Sequence, residues 1–295
     1  MNIKTHKNGW TVFVDQVDVK TLTDQQIEQL RKLITTNLTV IISGQHGLSM
    51  EQYQSFIRRI GTPERKKDWF PNRFLVSPED RDVIRVTGAV NEKGENIGIF
   101  NTPDDLSWHC NAPGQQPRPD VLCLYAVEGT VGSITSMSNT SMAYRDLMEE
   151  DLSALRAMYM EVPLDNFRKL RSLLPRLSVR YNFLISLDGS SKPSDYKGET
   201  GTYPLLHVNK AGLTGLMFSP NQAETILLDG EEMEREQVVE LARTLRPLVT
   251  AGKYLYDHHW KDGDILLNEQ WISLHRRPPF KDIAKRFLYR MMVTL

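Results

Sequence analysis

Cysteine is scarce. Cys110 and Cys123 are the only two among 295 residues. Two thiols cannot build a disulfide framework, and so sparing a use suits a reducing compartment. Long apolar runs are also missing: nowhere do 18 apolar residues follow one another, so no membrane-spanning helix is expected. The opening residues, Met1 to Trp10, lack the apolar stretch of a signal peptide. A cytoplasmic protein is the default expectation. Charge of one sign is not in excess either. Lys and Arg number 36 against 37 Asp and Glu, a formal net charge of -1. That excludes a nucleic-acid partner held by bulk positive charge and leaves room only for a local basic groove. There is no internal repeat and no low-complexity tract.

What is present is an ordinary globular composition, with 40% hydrophobic and 25% charged residues. The length exceeds an average domain, but one β-barrel or jelly roll with insertions reaches it. A single domain over 1–295 is therefore expected. Trp10 to Asp15 alternates with β-branched residues and reads as a strand. Residues 22–37 read as a helix capped by Thr23, with Ile27, Leu30, Leu33 and Ile34 as its apolar stripe. Residues 39–43 form a buried strand. Ser49 caps a second helix that Gly61 ends. Strands are expected at 82–87, 121–126, 133–140, 205–208, 215–218, 263–267, 271–275 and 286–295. Helices are expected from Ala143, over 152–160, and over 231–248, the last burying Val238, Val239, Leu241, Leu245 and Leu248. Residues 91–105 read as a loop. Residues 163–203 are the least patterned part, a lid-like insertion whose polar stretch from Asp188 to Thr202 resembles a mobile loop.

The chemistry concentrates at Trp108-His109-Cys110-Asn111 and at the distant His275. On a strand, His109 and Asn111 stand at i and i+2 and share a face. Two histidines and one carboxylate on one face of a metal, with other positions open, is the pattern of non-haem Fe(II) oxygenases. A histidine of the H-x-N type is, taken alone, as compatible with a core or surface role. Cys110 points the other way and reads as core.

The ordered features together resemble the taurine dioxygenase (TauD/TfdA-like) family of Fe(II)- and 2-oxoglutarate-dependent oxygenases. In that family a Trp-His-x-Asp segment is followed by a core strand, a glycine turn, a threonine and, nine residues on, a helix tyrosine. Thr135 and Tyr144 fit that spacing after Gly132. A Gly-Asp turn leads to the second histidine, as Gly263-Asp264 leads to His275, and two arginines follow by 11 and 15 residues, as Arg286 and Arg290 do. The resemblance implies a mainly β fold with flanking helices, a double-stranded β-helix (jelly roll). It implies Fe(II) held by His109, Asn111 and His275, and 2-oxoglutarate gripped by Arg286 and Thr135, with Arg290 at the metal-proximal carboxylate. A guanidinium suits a carboxylate because it donates paired hydrogen bonds. The implied reaction consumes O2, decarboxylates 2-oxoglutarate to succinate and CO2, and hydroxylates a small molecule. No nucleic acid or membrane is expected as a partner. A homo-oligomer is the analogy, since members often form dimers or tetramers.

Two departures from the family stand out. Asn111 replaces the carboxylate, which removes a negative charge and weakens metal binding. It is either a working neutral ligand, or it is supplemented by Glu269, Asp104 or Asp105, or the iron chemistry is lost and a dicarboxylate-binding protein remains. A halogenase-type site is the weaker alternative, because there a small residue leaves room for halide. The second departure is Leu267-Asn268-Glu269-Gln270, where the family has an Asp-Asn-Arg-like stretch. No substrate contacts are carried over. His207 is a candidate substrate contact, His258 and His259 are expected to be structural or surface residues, and His46 is left without a role.

Overall fold

The strand Val121–Glu128 shows how the chain builds its layers. Successive side chains alternate faces at a period of two. Val121, Cys123 and Tyr125 therefore enter one core, and Leu122, Leu124 and Ala126 enter another. The first core lies under the helices Asp24–Asn37 and Met50–Ile60, whose 3.6-residue stripes supply Ile27, Leu30, Ile34, Phe56 and Ile57. Both helices begin in capping boxes, Thr23 with Gln26 and Ser49 with Gln52, each worth about 1 kcal/mol. Tyr53 stacks on Tyr125 at 5.6 Å and ties helix to sheet.

This is a computed structural model, and it describes residues 1–64, 71–77, 79, 81–149, 151–182 and 200–295. Its main sheet has eight strands. Asn2–Thr5, Thr11–Asp15, Thr39–Ile42, Ile265–Glu269, Val121–Glu128, Phe287–Thr294 and Thr62–Pro63 follow in that spatial order, with Ile84–Val86 also pairing Phe287–Thr294. A smaller sheet orders Leu255–His259, Ile134–Asn139, Ser273–Arg277 and Leu106–His109, all antiparallel neighbours. The second core, between the sheets, is filled by Leu122, Leu124, Met137, Leu266, Leu288 and Met292. A third core gathers the helices Thr140–Met148, Leu164–Leu173 and Arg235–Thr250 over a sheet that includes Leu177–Tyr181 and Ala223–Leu228. Among the described residues, no helix is long and apolar enough to cross a membrane.

Most expected elements are present, and the differences have physical reasons. The strand at the motif ends at His109, so Asn111 lies just beyond it, before Ala112 turns into positive φ (48°). The insertion carries regular structure: Leu164–Leu173 is a helix with Phe167 and Leu170 buried, and Gly201–Pro204 is a strand on Leu177–Tyr181. The proposed lid from Asp188 onwards lies outside the described residues up to 199, and its last residues, Gly201 and Thr202, are in that strand. The late helix starts at Arg235 because Glu231–Glu232 pairs as a strand with Leu227 and Leu228, and its Val239 is only half-buried. The strands Asn2–Thr5, Ala223–Leu228 and Leu255–His259 were not expected from the pattern, because short strands with polar positions leave little periodic signal.

Candidate active site

The two sheets open toward each other at one end and leave a narrow cavity of about 40 Å³. The small sheet contributes the histidines. His109 and His275 are direct cross-strand partners, and their ring centroids lie 4.3 Å apart. Directly opposed antiparallel residues put side chains at this range. His109 Nδ1 lies 2.7 Å from the Ser107 carbonyl. A carbonyl accepts only, so Nδ1 carries the proton and Nε2 is left with the lone pair. His275 is buried, and burial first, then His109 and Arg290, hold its imidazole well below the ordinary range. A neutral imidazole is the form that binds metal. Asn111 completes the cluster, with its Nδ2 3.2 Å from His275 Nε2.

The other end of the cavity is cationic. Arg277, Arg286 and Arg290 line it, each with 4% exposure or less. Arg290 follows the interior alternation of Phe287–Thr294, on the side of Leu288 and Met292. Arg286 sits just ahead of that strand, across a register shift between Phe287 and Leu288. Gly129 fixes this corner. Its φ is +65°, and a Cβ there would run into the Lys285 carbonyl at 2.1 Å. Arg286 Nε donates to Ser133 Oγ at 3.2 Å, and burial with Arg277 nearby pulls the guanidinium down to about 9. Arg277 donates to the carbonyls of Thr102 and Asp104, while its Nε and Nη1 make no hydrogen bond among the described residues. Arg276 also lines the cavity but rests over the Trp108 ring at 5.2 Å. Thr135 borders the same space and accepts a hydrogen bond from Trp260 Nε1 at 2.8 Å. Its own hydroxyl proton is then kept for an acceptor in the cavity.

Among the described residues, no Asp or Glu lines this cavity. Buried guanidiniums need an anion or a full set of acceptors, so the lining suits a dianion, though at about 40 Å³ the cavity must widen to admit one. The paired imidazoles suit a borderline metal such as Fe(II), and Asn111 offers an amide as the third group. The residues present therefore fit both cofactors, with a neutral donor where a carboxylate is usual.

All six residues expected at the site, His109, Asn111, Thr135, His275, Arg286 and Arg290, border this one cavity. The supplementary anions do not. Asp104 and Asp105 are exposed. Glu269 is buried elsewhere, accepting from the Trp271 and Ile272 N–H groups at 3.0 and 2.9 Å. Among the described residues, no group of three or more His, Cys, Asp and Glu side chains is arranged to hold a metal. His207 faces a different cavity with Asp120 and Lys210, stacked on Trp271 at 4.1 Å. Cys110 lies in the helix-covered core, as expected, although the strand has ended at His109. His258 is buried against Asp264 at 3.3 Å, a structural place. Three contributors were missed: Arg277, Trp260 and Gln270. Arg277 carried a readable signal, standing two residues beyond His275 on one strand.

The family model described as taurine catabolism dioxygenase TauD, TfdA family, matches residues 8–292. The chain belongs to the TauD/TfdA family. Membership makes it a 2-oxoglutarate-dependent dioxygenase, of a family whose enzymes use Fe(II). Among curated relatives it is 22% identical over 286 residues to pentalenolactone F synthase of Streptomyces arenae, covering 91% of this chain and 86% of that one. It is 23% identical over 288 residues to the alpha-ketoglutarate-dependent 2,4-dichlorophenoxyacetate dioxygenase of Burkholderia sp. (strain RASC), covering 95% and 90%. The fold matches AAD-2 in complex with Mn(II) and N-oxalylglycine at a TM-score of 0.75, with 17% identity and 99% and 96% coverage. It also matches a taurine dioxygenase from Burkholderia xenovorans at 0.70, with 19% identity and 96% and 85% coverage. These neighbours bear out the jelly-roll fold expected for a TauD/TfdA member.

Proposed function

We propose that this dioxygenase hydroxylates a small molecule, with His109, Asn111 and His275 holding Fe(II) and Arg286, Thr135 and Arg290 holding 2-oxoglutarate. The observation that carries the reading is the cavity itself, which joins paired imidazoles to three buried guanidiniums with no acidic lining residue among those described. Bound Fe(II) with 2-oxoglutarate supplies the oxidising chemistry, in which O2 is consumed and succinate and CO2 are released.

The chain's own residues orient and exclude. The Ser107 carbonyl holds the His109 tautomer that keeps Nε2 for the metal. Burial keeps His275 neutral, so no proton competes for its nitrogen near neutral pH. Arg286, steadied by Ser133, grips the distal carboxylate, and the Thr135 hydroxyl adds a third hydrogen bond. Ser133 Oγ donates to the Thr130 carbonyl at 2.7 Å, which leaves its lone pairs for Arg286. Val86, Phe100, Leu122 and Leu124 form apolar walls that keep water from the reacting centre.

The test is anaerobic titration of metal-free protein with Fe(II) and 2-oxoglutarate, followed through the weak visible charge-transfer band of the chelated cosubstrate. A band saturating near one iron per chain supports the reading, and a screen of small molecules for substrate-dependent succinate release follows. If 2-oxoglutarate binds while no iron is retained, the dicarboxylate-binding alternative replaces it.

A further inference from the structure

Asn111 holds a ligand position, but it presents the wrong end of its amide. Its Nδ2 lies 3.2 Å from His275 Nε2 and 3.4 Å from Gln270 Oε1. About 3 Å is the separation of two neighbouring donors on one metal with bonds of ~2.0–2.2 Å. An amide nitrogen, however, does not ligate; only Oδ1 does. The question is whether the amide is free to turn.

The surrounding hydrogen bonds fix its sense. Asn268 Nδ2 donates to the Leu38 carbonyl at 3.1 Å and to Thr39 Oγ1 at 3.0 Å. A main-chain carbonyl accepts only, so Asn268 must turn its nitrogen to Leu38 and its Oδ1 the other way. That Oδ1 accepts from Gln270 Nε2 at 3.1 Å. Gln270 Oε1 must then face Asn111, where it accepts the Asn111 main-chain N–H at 3.0 Å as well as Nδ2. Asn111, Asn268, Gln270 and Ser273 are all buried. Reversing any one amide sets acceptor against acceptor among buried groups.

We propose that Gln270 is the positioning residue that makes position 111 an amide site and holds Asn111 with its nitrogen, not its oxygen, toward His275. Two consequences follow. A carboxylate at 111 faces Gln270 Oε1 as acceptor to acceptor, so this chain is built around asparagine rather than tolerating it. A metal that uses Asn111 must turn the amide against Gln270, which lowers metal affinity. The second consequence rests on the assignment of His109, Asn111 and His275 to the metal; the first does not.

The test is a double-mutant cycle on Asn111→Asp and Gln270→Met, the methionine keeping the length of glutamine without its polar end. In the metal-free protein, N111D alone is expected to lower Tm by about 5 °C. In the Q270M background the same substitution is expected to cost about half as much. Additive shifts overturn the relay. The second readout is Mn(II) affinity by counting free Mn(II) by electron paramagnetic resonance, with His275→Ala as the site control. Q270M releases the amide and is expected to tighten Mn(II) about tenfold, whereas a merely structural lesion weakens it. If wild type binds Mn(II), H275A abolishes it and Q270M does not tighten it, the role given to Gln270 fails and the metal site stands. If no variant binds Mn(II), the assignment of the metal ligands fails and the second consequence with it, while the Tm cycle alone decides the first.

Discussion

Arg286→Met separates the two jobs of a buried guanidinium. Arg286 is 2% exposed, and its Nε donates to the neutral Ser133 hydroxyl. Burial, then Arg277, pulls it well down from the ordinary guanidinium range to about 9. A group whose folded pKa is depressed in this way remains charged at pH 7, and the fold bears the whole cost of that charge below about 9. At 1.36 kcal/mol per pKa unit the cost is about 5 kcal/mol, and relaxation of the cavity reduces it to about 2 kcal/mol. Replacing the arginine with a methionine of similar reach removes that cost. R286M is therefore expected to raise Tm by about 4 °C in the absence of ligand.

The same substitution should cripple cosubstrate binding. Removing one partner of a buried charged pair costs about 3–5 kcal/mol, a loss of about 10²-fold or more in 2-oxoglutarate affinity. Scanning calorimetry with and without saturating 2-oxoglutarate, beside isothermal titration under argon with Mn(II) as the metal, reads both effects. Wild type is expected to gain stability from the ligand and R286M to gain none. A variant that is less stable than wild type when empty yet binds 2-oxoglutarate within tenfold would refute the assignment of Arg286 to the dicarboxylate.

Thr135→Val is expected to weaken 2-oxoglutarate about tenfold by loss of one hydrogen bond. It should also lower stability by about 1–2 kcal/mol, because it leaves Trp260 Nε1 without its acceptor; titration and urea unfolding check the two effects. Glu269→Gln is expected to stabilise the protein at pH 8 and to change little at pH 4. Burial raises this carboxyl from 4.5 to about 7 despite the N–H groups of Ile272 and Trp271, so the stability it contributes is present below 4.5 and lost as pH rises through about 7. The gain at pH 8, read from urea midpoints, is expected at about 2 kcal/mol, and a variant less stable than wild type at pH 8 contradicts the reasoning. Mn(II) affinity is expected to rise at least tenfold when N-oxalylglycine is present, checked by free-Mn(II) counting with and without the dianion.

Much of this fold was legible because its layers obey simple periods. The two early helices announce themselves by capping boxes at Thr23 and Ser49 and by stripes ending at Leu38 and Gly61. Val121–Glu128 reads as buried because both of its faces meet a core. The six candidate site residues were legible as a set because their order along the chain matches a family, not because any one spacing demands it. His109 and His275 are 166 positions apart, and nothing local predicts that a cross-strand pairing opposes them. The i, i+2 argument for His109 and Asn111 places both at one cavity, as they are, but by an incomplete route, since the strand ends at His109. Gln270 and Trp260 were illegible for a different reason. Each acts through a hydrogen bond to a residue more than a hundred positions away, Gln270 to Asn111 and Trp260 to Thr135, and such bonds leave no periodic trace in sequence.

The charge of the site then decides the order in which its ligands are held. Arg277, Arg286 and Arg290 border the cavity, His275 is held neutral, and Asn111 adds no charge. Where the family's carboxylate stands at position 111, it attracts the metal and balances the guanidiniums at once. Removing a unit charge ~6 Å from a cation at an effective dielectric of ~20 changes their interaction by about 3 kcal/mol. That change weakens a metal ion and strengthens an anion. The cavity is thus electrostatically an anion site first. A dianion seated among the arginines restores the missing negative charge beside the imidazoles, so metal and cosubstrate must bind with positive coupling, and by linkage each tightens the other by the same factor. A chain with asparagine at 111 can remain an iron enzyme on this account, provided that the cosubstrate supplies the charge that Asn111 does not.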